Sequence, residues 1–278
     1  MTSSTRPKNE LKQSPAKTSS NGFLSDVWTN FLRWNLKKLR EPFVLVFALV
    51  EPLVFLVLFS QVFGQLAGPA VPDGDYLAYL VPAIIILSAL ITAAGSGTGF
   101  VQDIESGMFE KTLVSPMSRT AVFCGKVLSD LLLIMVPTLF VLSLGYVAGT
   151  PVTTGLLGIG GILGVALVFS VWFMSFSNIL GIVTGSTRVT GIVTNLVQLP
   201  LLFASTAFVP VDALPGWLQI VSAGNPITYG VNAARTIMLS GWDWSVIGPS
   251  LGILGVLDLV LGGIAVYVLT RASSTAVR

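Results

Sequence analysis

The chain has 278 residues, is 53% hydrophobic and only 10% charged, and its mean hydropathy is +0.83. Soluble domains carry about a quarter charged residues, so this balance excludes an ordinary soluble protein and points to the membrane. A net charge of +2 argues against a nucleic-acid partner, and one cysteine, Cys124, with no histidine excludes an intrachain disulfide and removes the commonest metal ligand and general base.

Residues 1–22, rich in Ser, Thr, Lys and Pro, have little to bury and read as a disordered tail. The segment that follows, 23–40, places Leu24, Trp28, Phe31, Leu32, Asn35 and Leu39 at helical spacing, with Arg33 and Lys37 on another face. This is the pattern of an amphipathic helix in the membrane interface, ending near the pre-proline residue Glu41. A helix packed on the bundle with ordinary surface charges fits the same pattern.

About 20 apolar residues cross a bilayer as a helix. Six such runs follow, at roughly 43–63, 78–100, 127–149, 157–183, 189–208 and 248–270, so residues 42–271 are expected to form an all-α, six-span domain. Six crossings put both termini on one side, with 272–278 as a short tail. That side holds 14 of the 15 Lys and Arg residues, and the other holds only Arg235. By the positive-inside rule the termini and the link 101–126 are expected in the cytoplasm.

Within the spans, Ser88, Thr92 and Ser96 recur four apart, as do Thr190, Thr194 and Gln198, with Asn195 beside them. Such stripes face other helices or an aqueous path rather than acyl chains, and both readings stay open. Gly160 and Gly164 form a small-xxx-small pair suited to close helix approach. Three carboxylates fall inside runs: Glu51, Asp130 and Asp258. Asp130 has Lys126 four residues away on the same helix. Glu51 and Asp258 lack a basic partner within their runs, so each either serves an ion relay or a cationic substrate, or is a protonated carboxyl tying helices together. The stretch 209–247 is too apolar for an open loop and is broken by Pro210, Pro215 and Pro226. It reads as short helices dipping into the outer leaflet.

Enzyme chemistry finds no support. The only Gly-Lys pair, Gly125-Lys126, is followed by Val127 and preceded by Thr120 where a phosphate loop needs its first glycine. No His/Cys metal cluster exists, so no cofactor or metal is expected on this chain.

The link after the second run carries Glu105, Gly107, Glu110, Leu113, Pro116, Ser118 and Arg119, then Gly125-Lys126. This resembles the "E-x-G-x-x-E-x-L-x-x-x-P-x-S-R … G-K" stretch of type-2 ABC exporter permeases of the daunorubicin-resistance and multidrug-export kind. Residues 40–64 look like the family's approach to its first span. Residues 209–235 look like its outer re-entrant segment, with Pro215, Trp217, Asn225, Pro226 and Tyr229 in place as an outer gate. Where the family often has a basic residue ahead of the glutamate, this chain has Asp103.

The resemblance implies a plasma-membrane permease subunit of a prokaryote, paired with a second permease copy. Separate ABC ATPase subunits would bind ATP and Mg. It implies that 101–126 is a coupling element using Asp103, Glu105, Gly107, Phe109, Glu110, Leu113, Pro116 and Arg119, and that the two polar stripes border the substrate path. Asp103 and Glu105 would then charge the start of a short helix in the link, Phe109 and Leu113 would fill an apolar groove, and Pro116 would end the element. The implied function is ATP-driven export of a lipophilic or amphipathic compound. The alternative is an ion-coupled transporter or channel using Glu51 and Asp258.

Overall fold

The computed structural model describes residues 22–71, 74–107 and 119–275, and the regular structure of these residues is helical. Among the described residues, nine α-helices follow in chain order: α1 (Phe23–Leu39), α2 (Pro42–Ala67), α3 (Tyr76–Glu105), α4 (Arg119–Val147), α5 (Gly155–Thr184), α6 (Thr187–Phe203), α7 (Gly216–Ala223), α8 (Pro226–Arg235) and α9 (Trp244–Thr275). Five of them, α2, α3, α4, α5 and α9, are long and apolar enough to cross a membrane. Of the residues named above, Phe109, Glu110, Leu113, Pro116, Ser118 and the tail 1–21 lie outside the described residues.

Local chemistry sets the helix ends. Pro42 opens α2, where a missing N–H costs nothing and its fixed φ suits the first turn. Asp75 caps α3 by accepting a hydrogen bond from the Ala78 N–H at 3.1 Å. Gly107, just beyond α3, has a φ of +68°, a left-handed conformation that L side chains rarely adopt. Gly185 ends α5 in the same way, with a φ of +58°.

The fifth expected run, 189–208, is where pattern and structure differ most. Its helix, α6, has 17 residues and stops at Phe203. Ser205 turns its hydroxyl back onto the Leu202 carbonyl at 2.7 Å, and the Ala204 N–H closes onto Pro200 O at 2.9 Å. A serine that satisfies the last carbonyls locally offers the backbone an alternative to further helix. Residues 204–209 continue as irregular chain. At the far end of the molecule α9 runs on through Thr275, into the stretch expected to be tail.

α3 is the hub. Most of it is buried, whereas α2 and α9 leave most of their surface open. It packs on α5, α4, α2, α6 and α8, while α9 packs on α5 and α8, and α1 on α4. The α3–α5 crossing is very close. A Cβ at Gly97 would lie 2.0 Å from the Ser177 carbonyl oxygen, and one at Gly181 would lie 2.9 Å from Gly97 O. Ser177 secures this contact, donating to Ala94 O at 2.6 Å and accepting from the Gly97 N–H at 3.0 Å. The close approach expected at Gly160 and Gly164 is not made among the described residues: a Cβ at either would meet nothing within 4 Å.

Gly97→Ala should therefore destabilise the bundle by about 1–3 kcal/mol, the usual cost of forcing atoms into a packed core. Gly164→Ala should be close to neutral. Thermal unfolding of the two variants in detergent, followed by retained monodisperse protein, separates them.

Candidate functional site

Polar groups converge at the end of the bundle that carries α1. At its centre is Lys126, whose side chain is 1% exposed. Its ammonium donates to Asp130 Oδ2 at 2.7 Å and to Ser96 Oγ at 2.6 Å. The Ser96 hydroxyl in turn donates to Asp130 Oδ2 at 2.5 Å and accepts from Asn178 Nδ2 at 2.9 Å. Lys38 closes the other carboxylate oxygen, Oδ1, at 2.8 Å and also reaches Ser129. One buried carboxylate thus joins α1, α3 and α4, and Ser96 extends the contact to α5. Asp130 and Lys126 are the i, i+4 pair expected from the sequence; Lys38, Ser96 and Asn178 join them only through the fold.

A second carboxylate binds α1 to α3. Asp103 accepts from Arg33 Nη2 at 3.0 Å and from Lys37 Nζ at 2.9 Å. Trp34, itself buried, lies beneath the same cations, with Arg33, Lys37 and Lys126 all about 5 Å from its ring centre. A Cβ at Gly125 would lie 2.6 Å from Val27 O, so that glycine lets α1 cross α4 closely. α1 is therefore two-faced. Asp26, Val27, Asn30 and Trp34 are buried, while Leu24, Trp28, Leu32, Leu36 and Leu39 remain exposed. The packed reading describes the buried face.

Glu105 makes the third tie. The last residue of α3, it accepts from the Thr187 N–H at 3.0 Å and from Thr187 Oγ1 at 2.8 Å. Thr187 opens α6, so an anion sits where that helix leaves N–H groups unpaired. Asp103 and Glu105, expected at the start of a short helix in the link, stand instead in the last turn of α3 and bind elements of this chain. Gly107 follows in its left-handed turn, and Arg119 opens α4 across the link.

The polar stripes part company. Ser88 and Thr92 border a cavity of about 450 Å³ between α1, α2 and α3 that also reaches Glu51. Ser96 belongs to the Lys126–Asp130 cluster. Thr190, Thr194 and Gln198 are buried on α6, which packs on α3 and α5, whereas Asn195 is exposed. Thr190 and Thr194 bond the preceding turn of their own helix, and Gln198 Oε1 has no hydrogen-bond partner among the described residues. On α9, Asp258 Oδ1 is buried and has none either.

At the opposite end, Arg235 holds the irregular stretch after α6. Its guanidinium lies 3.5 Å over the Tyr79 ring and donates to Tyr79 O at 3.2 Å and Thr206 O at 3.3 Å. The Tyr79 and Tyr76 hydroxyls donate to Thr206 O and Phe208 O. Burial pulls the Arg235 pKa down to about 10, so it stays charged at neutral pH. The gate candidates cluster here. Asn225 caps α8 through the Ile227 N–H ahead of Pro226, and it donates to Leu201 O at 2.6 Å. Tyr229 donates to Ala223 O, and Pro215 precedes α7, on which Trp217 is exposed. Sequence reasoning noted Arg235 as the lone basic residue of its side but assigned it no role; its isolation was the available signal.

The sequence pattern of the ABC-2 type transporter matches residues 25–239. A daunorubicin resistance ABC transporter permease protein from Streptomyces coeruleorubidus is 28% identical over 226 residues, covering 81% of this chain and 77% of that one. A probable doxorubicin resistance ABC transporter permease protein of Mycobacterium tuberculosis is 26% identical over 215 residues, covering 77% and 76%. A probable multidrug ABC transporter permease of Escherichia coli is 24% identical over 204 residues, covering 72% of this chain and 54% of that one.

Lys126→Met would leave Asp130 with a single cation in a buried site. Breaking one partner of a buried pair typically costs about 3–5 kcal/mol. The variant should lose most of its thermal stability, and Lys126→Met with Asp130→Leu should recover part of it; unfolding midpoints of the single and double variants are the measurement.

Proposed function

The chain belongs to the ABC-2 type transporter family, and from that premise we propose that it is the membrane subunit of an ATP-driven exporter, drawing its energy from a separate ATPase. The chain lacks a phosphate loop of its own. The cargo is a lipophilic or amphipathic compound taken from the cytoplasm or inner leaflet, and the working unit contains two permease copies. The α1 end of the bundle faces the cytoplasm, in keeping with its basic residues. The segment 209–247 dips into the outer leaflet as the gate.

The observation that carries this reading is the set of ties at that end. An ATPase drives transport only when its states favour different permease conformations. Force must therefore pass from the link into the helices that border the path. Glu105 stands at the root of the link and holds the first residue of α6. Asp103 and Asp130 hold α1 against α3 and α4. A push on the link then reaches α3 and α6 together, and these are the helices with the polar stripes. Phe109 and Leu113 supply the apolar contact to the ATPase, with Glu110, Pro116 and Arg119 around them. A relay from Glu51 to Asp258 is less well supported, since α2 packs chiefly on α3 whereas α9 packs on α5 and α8.

Co-purification with the ATPase and ATP turnover in nanodiscs test the proposal. Phe109→Ala should release the ATPase or remove the permease's effect on turnover. Glu105→Ala should keep the ATPase bound but cut transport per ATP by roughly tenfold, an energy of about 1.4 kcal/mol, with Glu105→Gln intermediate. Unchanged coupling in both alanine variants sinks the assignment of the link.

A further inference from the structure

Three buried polar atoms on α5 and α9 have no hydrogen-bond partner among the described residues: Trp172 Nε1, Asn178 Oδ1 and Asp258 Oδ1. They belong to one row. The Asp258 carboxyl lies beside the Trp172 backbone N–H, a group that α5 already pairs within its own ladder. One turn further along α9, a Cβ at Gly262 would lie 3.9 Å from the Ser175 hydroxyl. Trp172, Ser175 and Asn178 are buried and three residues apart. Their row therefore winds round α5, from the side that meets α9 to the side that meets α3. There Asn178 Nδ2 donates to Ser96 Oγ at 2.9 Å, and Ser96 belongs to the Lys126–Asp130 cluster.

No neighbour offers Asp258 a counter-charge. α9 packs on α5, α8, α4 and the segment Thr236–Ser240. Neither α5 nor 236–240 contains an ionisable residue. On α8, Arg235 is held by the Tyr79 ring and backbone carbonyls, and the Tyr229 hydroxyl by Ala223 O. On α4, Lys126 is paired with Asp130, while Arg119, Cys124 and Tyr146 lie toward the helix ends. On α9 itself, Arg271 donates to the Tyr267 hydroxyl. Asp258 takes part in none of the ion pairs among the described residues. A carboxyl in a span then needs water or a proton. A metal ion would need its oxygen ligands about 2.0–2.6 Å from one point. Asn178 lies about 9 Å along α5 from Trp172 at 1.5 Å per residue, and an indole N–H can only donate. One donor and two spaced acceptors suit water, which when buried makes about three bonds to such groups.

We propose that Asp258 is a proton-binding site at the α5–α9 contact, exchanging its proton with the α1 end of the bundle along Ser175, Asn178 and Ser96, with internal water closing the steps between them. Protonated, the carboxyl is neutral and can lie against a helix that has no charge to offer. The inference goes beyond the export reading and does not depend on it, since proton binding needs neither ATPase nor cargo. It also differs from a relay between Glu51 and Asp258, because the path runs through α5 rather than α2.

Infrared spectroscopy of the full-length chain in phosphatidylcholine nanodiscs is the test. The wild type should show the carbonyl band of a protonated carboxyl, and the difference from Asp258→Asn isolates the Asp258 share. On transfer to deuterated water that band shifts as the proton is replaced, so its rate reports access. Ser175→Val should slow the exchange roughly tenfold. Ser175→Thr, of the same size but with the hydroxyl kept, should exchange like the wild type. A second measurement needs no variant: labelling of the wild type with dicyclohexylcarbodiimide, located by peptide mapping. The carboxyl oxygen bonds to the reagent's central carbon and the carboxyl proton passes to one of its nitrogens, so the whole reagent stays attached. Asp258 should be labelled, and less so as pH rises. No Asp258 share in the carbonyl band, no pH-dependent label at Asp258, or equal exchange in Ser175→Val and Ser175→Thr overturns the proposal.

Discussion

A lysine and an aspartate buried together in an apolar bundle constrain everything near them. Lys126 and Asp130 each need the other, and together they leave one carboxylate oxygen open, which Lys38 fills from α1. Once this is required, α1 must lie across α4, and Gly125 must be a glycine for it to do so. Ser96 and Asn178 complete the set from α3 and α5. A buried ion pair is weak evidence of net stability compared with a well-packed apolar core. Its consequence here is geometric: side chains from four helices meet around one carboxylate.

The same economy governs the far end. The chain from Ala204 to Val209 is irregular, and its carbonyls would be costly to bury without partners. Arg235, Tyr76 and Tyr79 supply the donors, and the Arg235 guanidinium stacked on Tyr79 is itself held by those carbonyls. Between the two ends α3 runs as a continuous rod, pinned by Asp130 and Asp103 at one end and by Arg235 at the other.

Much of this was legible in the chain. Long apolar runs located the five long helices, because a helix in lipid must be apolar over its whole length. The Lys126–Asp130 pair followed from spacing alone, since residues four apart share a helix face. What stayed hidden depended on contacts distant in sequence. Nothing in 23–40 says that Arg33 and Lys37 will close on Asp103. The Gly160–Gly164 pair was a better motif than Gly97 and Ser177, yet the helices meet at the latter, where a glycine opposes a hydroxyl that can bond across the gap. The shortening of α6 turned on one serine that competes for a carbonyl. The stripe Ser88–Thr92–Ser96 looked uniform, but neighbours divided it between a cavity and an ionic cluster.

With α3 as hub and Glu105 bridging to α6, the arrangement suits a membrane subunit driven from its basic end. ATP-dependent accumulation of a lipophilic probe in inside-out proteoliposomes measures this directly, with the chain and its ATPase reconstituted separately and together. The account predicts accumulation only when both proteins and ATP are present. Accumulation by this chain alone, driven by an ion gradient with no ATPase, would contradict it.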